Sequence, residues 1–285
     1  MREEASNYSL DRQSTWFLKK AQGLVNRYHW AKRSLTWSYH LAVRKRIALD
    51  YTRIAPESVP VLISNFNRLD TLRRQVEWLL TLDGHISVII LDNASTYPPL
   101  LEFYRALEYP NVQVVDLGVN SCGKGVVHIA KQLTGFPKFI ITDPDLLPYP
   151  TTPGDVVPHL GRLLDRYPEY NHIGLSLEIN DLPDHCAQRE RIQRHESQYW
   201  HPQARLLNDE VTVAPVDTTF AMYRATSNVQ AYEPALRTCR PYTLRHVDWY
   251  LDPSNLSEEY RYYLRVCTPY ATWATDLKKS LAQGR

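Results

Sequence analysis

The chain contains 285 residues, which is enough for one large α/β domain or two small ones around a substantial hydrophobic core. Its formal net charge of +2 produces no overall field that would favour nucleic acid as a partner. The four cysteines are far apart and form no CxxC pair, a pattern that favours reduced structural thiols in the cytoplasm over a disulfide framework or a zinc site.

The first 50 residues differ from the rest of the chain in charge, because they contain ten lysines and arginines but only four acidic residues. Apolar and aromatic residues recur among these bases at spacings of three and four, which predicts one or two amphipathic helices. We therefore expect residues 1–55 to form a basic helical N-terminal arm. The arm would pack on its own domain or on a second copy in a homodimer, or residues 1–50 would contact an anionic membrane surface peripherally.

The sequence predicts neither a signal peptide nor a membrane span. The chain starts with Met1-Arg2-Glu3-Glu4, and no apolar run approaches the ~20 residues that cross a bilayer. We expect a cytoplasmic protein that is soluble or peripheral on a membrane.

From residue 56 onward, strand-like and helix-like segments alternate, which predicts an α/β fold with a doubly wound, mostly parallel sheet. We expect one domain over residues 56–285, with a regular half at 56–150 and a looser half at 151–285. The predicted strands of the first half are 59–68, which runs into a polar loop, 86–91, 112–115 and 139–142. The predicted helices are 69–82, with Asp70 as its N-cap, 99–107, and a third that ends at residue 133.

The second half has a weaker pattern. Its predicted elements are helices over 156–167 and 257–265 and strands over 173–177, 211–213 and 218–223. Residues 180–210 are polar and are expected to form a loop-rich excursion. The spacings of ten and six between His185, His195 and His201 match no common set of metal ligands, so surface or acceptor-side positions are favoured.

Polar side chains follow three of the predicted strands. They are Ser64, Asn65, Asn67 and Arg68 after the first strand, Asp92 and Asn93 after the second, and Asp143 and Asp145 after the fourth. Parallel strands joined by right-handed crossovers end at the same edge of a sheet, and ligands of open α/β sheets bind at that edge. This clustering predicts a nucleotide site.

The motif Asp143-Pro144-Asp145 follows an apolar, β-branched run typical of a buried parallel strand. Two carboxylates in one short turn raise each other's pKa unless a cation lies between them. A hard divalent ion, Mg²⁺ or Mn²⁺, that shares its oxygen ligands with substrate phosphates satisfies this arrangement. The alternative is an ordinary solvated turn.

Two other nucleotide or phosphate motifs have partial matches. Gly118-x-x-x-x-Gly123-Lys124 resembles the P-loop of a kinase, but Gly125 stands where that loop needs a serine or threonine for Mg²⁺. An aspartate pair after an apolar strand also occurs in phosphatases of the haloacid-dehalogenase type, where the first aspartate is a nucleophile. There the pair is expected on the opening strand, whereas Asp143 follows the fourth.

The order of these motifs resembles the GT-A-fold glycosyltransferases, particularly the large family-2-like group. The resemblance covers roughly residues 59–150. It is carried by the polar end of the first strand with Ser64, Asn65 and Arg68, by Asp92-Asn93-Ala94-Ser95, by Asn120 with Gly123 and Gly125, and by Asp143-Pro144-Asp145. After residue 150 the likeness is only general.

This resemblance implies transfer of a sugar from a nucleotide-sugar, most often a UDP-sugar, to a glycan or other hydroxyl acceptor. Asp92 would accept a hydrogen bond from the base. The donor would also contact the loop after the first strand and the loop with Asn120, Gly123 and Lys124. Asp143 and Asp145 would bind the Mn²⁺ or Mg²⁺ that bridges the two phosphates, and that charge would stabilise the leaving group.

The resemblance implies further roles in the second half. His246 is a candidate for an additional metal ligand, within an aromatic helix. The Glu-Asp pair that supplies the base in many relatives is missing here, so Asp248 and Asp217 are the candidates, and inverting stereochemistry is in doubt. Tyr199 and Trp200 are candidates for stacking on sugar. The alternative is a non-catalytic protein that binds a nucleotide-sugar or glycan in the same crevice.

Overall fold

The computed structural model describes residues 31–267 apart from residues 33, 44–46, 122, 187, 201–205, 217–219, 226–228 and 230–234, together with residues 274, 275, 277, 278 and 281. The strands are β1 (Val59–Asn65), β2 (Ile86–Asp92), β3 (Val112–Asp116), β4 (Lys138–Thr142), β5 (Leu146–Pro148), β6 (His172–Gly174), β7 (Ser176–Leu177), β8 (Val211–Val213), β9 (Ala221–Arg224), β10 (Leu236–Thr238) and β11 (Thr243–His246). The helices are α1 (residues 31–43), α2 (Asp70–Leu79), α3 (Pro98–Arg105), α4 (Lys124–Ala130), α5 (Val156–Arg166), α6 (Arg189–Glu196) and α7 (Glu258–Val266).

The predicted doubly wound, mostly parallel sheet is confirmed. Eight strands form it in the order β3-β2-β1-β4-β9-β6-β10-β8. Strands β3, β2, β1 and β4 are parallel to one another, as the alternation of strands and helices predicts. Strand β9 runs antiparallel between β4 and β6, and the edge strand β8 is antiparallel to β10. The regular half of the chain therefore builds the parallel half of the sheet.

Both faces of the sheet are covered, which explains the continuous apolar runs of the central strands. All seven residues of β2 are buried. One face packs against α2 and α5, and the other packs against α1 and α4. Complete burial of a leucine or isoleucine side chain stabilises a fold by about 1.5–3 kcal/mol, so this two-layer core is the main source of stability.

A second, three-stranded sheet forms beside the first, in the order β5-β11-β7. It divides the single strand predicted over 173–177, because β6 pairs in the large sheet whereas β7 pairs with β11.

The pairing of β11 also shows that the helix predicted around His246 is wrong. This residue ends β11 opposite Leu146 and is followed by a short 3-10 turn, so it does not lie within a helix. Pairing on both sides of β11 overrides the local helical pattern.

The N-cap prediction at Asp70 is also wrong. Leu69 occupies the N-cap position and makes no side-chain cap hydrogen bond. Asp70 is the first residue of α2, and its backbone N–H donates to Oε2 of Glu259 at 2.8 Å. A carboxylate from α7 therefore caps α2, an arrangement that local sequence does not contain.

The basic N-terminal segment is described only from residue 31. Trp37 of α1 is buried, as are Ile47, Leu49 and Ile54, and all four side chains pack into the core on the α4 side of the sheet. The expected arm over residues 1–30 lies outside the described residues. Within the described residues, no helix has both the length and the hydropathy needed to cross a membrane.

Candidate active site

The carboxyl ends of β1, β2 and β4 lie side by side, as the sequence predicts. Asn65 at the end of β1 pairs with Asp92 at the end of β2. On the other side of β1, Ile63 pairs with Thr142, the last residue of β4. Asp143 and Asp145 therefore follow immediately at the same edge of the sheet.

Asp92 is buried and is held by two donors. Its Oδ2 accepts the backbone N–H of Ser95 at 2.9 Å, and its Oδ1 accepts the hydroxyl of Tyr104 at 3.0 Å. Burial raises the pKa of Asp92, and the hydrogen bonds from Ser95 and Tyr104 offset part of this rise. Its carboxylate is therefore fixed in direction at the tip of β2.

Two asparagines shape the loop after β1. Asn67 has a positive φ of 54°, which asparagine tolerates better than most residues, and its Oδ1 accepts the backbone N–H groups of Thr96 and Tyr97. Asn65 donates from Nδ2 to the hydroxyl of Tyr104 at 2.7 Å. The other amide atoms of this pair, Asn65 Oδ1 and Asn67 Nδ2, are buried without a hydrogen-bond partner among the described residues. They are candidates for ligand contacts.

Asn93 joins two of the predicted loops. Its Nδ2 donates to Oγ of Ser64 at 3.2 Å, and its Oδ1 accepts both the backbone N–H and the hydroxyl of Ser121. Asn120, which is half-buried, therefore lies next to a residue anchored at the strand tips. Asn93 has a positioning role here.

The glycine-rich segment packs closely rather than forming an open phosphate loop. A Cβ on Gly125 would lie 2.4 Å from Leu117 Cδ1 and 2.7 Å from Ser121 Oγ, so only glycine fits. Gly123 has a φ of +84° at the N-cap of α4. Lys124 donates from Nζ to Oγ of Ser34 in α1, which ties it to the N-terminal helix. This contact does not favour the P-loop alternative.

The turn Asp143-Pro144-Asp145 is fixed from α2. Gln75, which is fully buried, donates from Nε2 to the carbonyls of Asp143 and Leu146 at 2.8 and 3.0 Å. Asp145 is buried, whereas Asp143 is half-buried. Gln75 is not among the site residues predicted from the sequence, although a polar residue on the apolar face of a predicted helix is a signal that could have identified it.

Arg68 lies at the centre of a charged group that we call the Arg68 cluster, formed by Arg68, Asp145, Asp248 and Glu259, whose side chains are only 5–12% exposed. Arg68 makes a bidentate pair with Asp248, with N–O distances of 2.9 and 2.6 Å. Its Nη1 lies 4.0 Å from Oδ2 of Asp145, and its Nε lies 3.6 Å from Oε1 of Glu259. Three carboxylates and one guanidinium leave an excess of two negative charges.

Two tyrosines of α7 enclose the same guanidinium. The rings of Tyr260 and Tyr263 lie 5.0 and 5.1 Å from the Cζ of Arg68, within cation–π range. Tyr260 also donates its hydroxyl to Oδ2 of Asp248 at 3.1 Å. No site residue is predicted in α7 from the sequence, although its Glu-Glu-Tyr-Arg-Tyr-Tyr segment is unusually rich in charged and aromatic residues.

Asp248 is an anion under ordinary conditions. Burial acts to raise its pKa, but the charge and hydrogen bonds of Arg68 outweigh burial, and the pKa of Asp248 is lowered. Both carboxylate oxygens accept hydrogen bonds from Arg68, and Oδ2 accepts a further one from Tyr260. These contacts are those of a residue that positions Arg68. They do not suit a residue that accepts a proton.

Asp145 and His246 fit a divalent metal ion. Nε2 of His246 lies 3.7 Å from Oδ2 of Asp145. Asp145 Oδ1 and His246 Nδ1 are both buried and have no hydrogen-bond partner in the part of the chain that the structure describes. The His246 ring stacks on Trp249 at 4.8 Å with an interplanar angle of 4°, which fixes its orientation. Buried polar atoms normally have a partner, so an ion, a ligand or an ordered water can bind to these two atoms.

The described residues contain no group of three or more histidine, cysteine or acidic side chains arranged to hold a metal on their own. A hard cation that shares its coordination shell with phosphates and water needs only one or two protein carboxylates. The pair Asp145 and His246, with Asp143 two residues away, is consistent with such a shared site.

Several other predicted residues lie elsewhere. Asp217 and His201 lie outside the described residues. Tyr199 and Trp200 stack on arginines, with the Cζ atoms of Arg237 and Arg240 each 4.2 Å from the ring centroid. Contact with a sugar stays a prediction for both aromatic residues.

No protein-family model and no curated protein sequence matches this chain. Solved structures are similar to it. The fragment TarS 1-349 of S. aureus, crystallised with UDP, is 17% identical with a TM-score of 0.39, and the match covers 59% of this chain and 47% of the fragment. TarS of S. aureus is 14% identical with a TM-score of 0.45, over 79% of this chain and 42% of TarS.

The mannosyltransferase PcManGT from Pyrobaculum calidifontis, whose structure holds GDP-Man and Mn²⁺, is 13% identical with a TM-score of 0.42. That match covers 91% of this chain and 85% of the mannosyltransferase. At these identities and TM-scores the similarity concerns the fold and does not assign an activity.

Proposed function

We propose that this protein is a metal-dependent glycosyltransferase, which moves a sugar from a nucleotide-sugar, expected to be a UDP-sugar, to a hydroxyl group of a glycan or other acceptor. The observation that carries the proposal is the Arg68 cluster at the carboxyl ends of β1, β2 and β4. Its excess of two buried negative charges lies beside the unpartnered atoms Asp145 Oδ1 and His246 Nδ1. A divalent cation would neutralise this excess, because buried charges need partners.

The nucleoside would bind across the tips of β1 and β2. Asp92 is fixed by Ser95 and Tyr104, and we propose that its carboxylate accepts a hydrogen bond from the base. Asn65 and Asn67 each have one unpartnered amide atom among the described residues, and these would contact the donor. Ser64, Asn93, Asn120, Gly123 and Lys124 would border the same site.

The diphosphate would bind at the tip of β4. Asp143, Asp145 and His246 are proposed to hold Mn²⁺ or Mg²⁺, which, when bound, supplies positive charge to the diphosphate leaving group as the bond between sugar and phosphate breaks. Arg68 adds a permanent positive charge near Asp145. Asp248 holds the guanidinium in place through its bidentate pair.

The acceptor hydroxyl must lose a proton as the new glycosidic bond forms. Asp248 is proposed to act through Arg68 rather than as the base, because its oxygens already accept hydrogen bonds from Arg68 and Tyr260. Asp217 is the other candidate for the base that the sequence predicts. It lies outside the described residues.

The proposal is tested by measuring turnover and binding together. Purified protein is incubated with a panel of nucleotide-sugars, with and without Mn²⁺, and release of free nucleotide is measured alongside the melting temperature. A true donor raises the melting temperature by mass action and is consumed only in the presence of metal. Asp145→Asn should lower turnover by at least about a hundredfold, as expected when charge stabilisation of the transition state is lost.

A matched control is Asp184→Asn, which makes the same chemical change at a side chain that is 98% exposed. It should keep full turnover. Metal-independent turnover, or an Asp145→Asn variant as active as the control, would refute the proposed metal site.

The second candidate function is binding of a nucleotide-sugar without catalysis. It is favoured by the pairing of Asp248 and Glu259 with Arg68, because neither carboxylate is an evident base. Metal-dependent thermal stabilisation by a nucleotide-sugar, with no release of nucleotide against a broad acceptor panel, would support this function.

A further inference from the structure

We propose that the outer face of α1 binds the surface of an anionic membrane. Leu35, Tyr39 and Val43 are spaced by four residues and therefore lie along one side of this helix. Their side chains are 72%, 71% and 63% exposed, more than any other large hydrophobic side chain in the described part of the chain. We call these three residues the outer stripe. Contiguous exposed apolar side chains of this kind mark an interaction site.

The orientation of α1 is fixed by its opposite face. Trp37 is buried, and its ring meets His128 of α4 edge-on at 5.9 Å. Ser34 accepts a hydrogen bond from Lys124, also in α4. Because the helix docks through Trp37 and Ser34, the outer stripe points away from the part of the domain that the structure describes.

The charge of this part of the chain favours an anionic partner. Residues 31–49 contain Lys32, Arg33, Arg44, Lys45 and Arg46 and no acidic residue. Lysines and arginines near an anionic bilayer each contribute attraction, which adds to the burial of apolar side chains at the lipid boundary. Basic residues flank the outer stripe along the sequence, and an apolar stripe with such neighbours matches that surface.

The same charge disfavours two other occupants of the stripe. A second copy of the chain would bring the same five basic residues against the first five, and like charges repel. Residues 1–30 carry five basic and three acidic residues, so this segment is also positively charged. An anionic lipid surface is the partner that complements both features. This inference goes beyond the proposed function and does not depend on it.

The test is co-sedimentation of the full chain with vesicles made of equal parts of phosphatidylglycerol and phosphatidylcholine. We expect the protein to pellet with these vesicles and to stay in solution with vesicles of phosphatidylcholine alone. The triple variant Leu35→Ser/Tyr39→Ser/Val43→Ser keeps every charge but removes the apolar contacts. It should bind at least about tenfold more weakly. Binding should also weaken near 1 M salt, where the Debye length is about 3 Å.

A matched control replaces the same three residue types elsewhere, in the triple variant Leu207→Ser/Tyr109→Ser/Val266→Ser, whose positions are 41%, 43% and 38% exposed. It should bind vesicles like the unaltered protein. Melting curves check that each triple variant folds, and the single variant Tyr39→Ser, with a smaller loss of binding, replaces the first triple if it does not.

Three outcomes would overturn the proposal. They are failure of the unaltered protein to bind the anionic vesicles, equal binding by the two triple variants, and a dimer in solution that dissociates when the outer stripe is replaced. The last outcome would assign the stripe to a second copy of the chain.

Discussion

Arg68 shows how one side chain organises a site. Its guanidinium is surrounded by Asp145, Asp248 and Glu259 and lies between two tyrosine rings of α7. Arginine suits this role because its planar group forms two parallel hydrogen bonds with one carboxylate and keeps its charge when buried. The sequence predicts Arg68 as a site residue from its place after β1. It does not predict the partners, because Asp248 and Glu259 are 180 and more residues away along the chain.

Replacing Asp248 by asparagine should destabilise the protein by about 1.5–3 kcal/mol near pH 7, because Arg68 loses its charged bidentate partner and keeps only the more distant Asp145 and Glu259. The lowered pKa of Asp248 means that its contribution is present above the unfolded pKa, for which the ordinary value is 3.8, and is lost as pH falls through the folded pKa. The difference in unfolding free energy between the unaltered protein and Asp248→Asn should therefore shrink as pH falls below about 4.

Urea unfolding followed by tryptophan fluorescence at a series of pH values measures this difference. Asp184→Asn is the control and should follow the unaltered protein at every pH. A difference in unfolding free energy that stays constant as pH falls would show that ionisation of the Asp248 carboxylate does not cause the difference.

At the scale of elements, α7 completes α2. The carboxylate of Glu259 accepts the backbone N–H of Asp70 and lies near Arg68. Tyr262 packs on Tyr97 at 5.0 Å. Helix α7 therefore contacts the loops after both β1 and β2.

Glu259→Ala should lower the free energy of unfolding by about 0.5–2 kcal/mol, the range for loss of a helix N-cap acceptor. Its neighbour Glu258 is exposed in the same first turn of α7, so Glu258→Ala is the matched control and should stay within about 0.5 kcal/mol. Chemical unfolding of the two variants under the same conditions measures the difference in their free energies of unfolding. Equal free energies of unfolding would mean that water accepts the backbone N–H of Asp70 as well as Glu259 does.

Gly125→Ala should destabilise the protein by about 1–3 kcal/mol, because the added Cβ would lie 2.4 Å from Leu117 and 2.7 Å from Ser121. Gly135→Ala is the control, since an added Cβ there meets no atom within 4 Å. The melting temperatures of both variants measure the difference. A Gly125→Ala variant as stable as Gly135→Ala would show that the loop after β3 moves freely.

The elements differ in how far local sequence determines them. Strands β1, β2 and β4 are continuous apolar runs, so their positions and their shared edge follow from pattern alone. The aromatic and charged neighbours of His246 predict a helix, but pairing of β11 with β5 and β7 makes it a strand residue. The position of Gln75 on the apolar face of α2 signals a buried role, but its carbonyl partners do not follow from spacing. Glu259 could not be assigned at all, because its partner is a backbone group of a distant element.

At the scale of the whole molecule, the two sheets meet at the candidate site. The large sheet contributes Asp92 and the turn after β4, and the small sheet contributes His246. The C-terminal part of the chain contributes the wall formed by α7. A ligand at the strand tips would therefore contact elements from both halves of the domain.

Binding of a nucleotide-sugar with Mn²⁺ should slow amide hydrogen exchange in residues 92–97 and in α7, because both border the Arg68 cluster. Exchange in β8 and β10, at the opposite edge of the large sheet, should be unchanged. Exchange detected by mass spectrometry with and without ligand measures this, and Asp145→Asn should abolish the effect. Protection spread evenly over the chain would instead indicate general stabilisation.

The hydrogen bond from Asp70 to Glu259 joins groups 189 positions apart. During synthesis on the ribosome, α2 emerges long before its capping carboxylate has been translated. Arg68 likewise has no bidentate partner until Asp248 has been translated. The parallel strands can associate early, but the Arg68 cluster at their tips acquires its full set of charges only when α7 has left the exit tunnel. A nascent chain stalled before α7 should therefore contain the sheet and lack the complete Arg68 cluster.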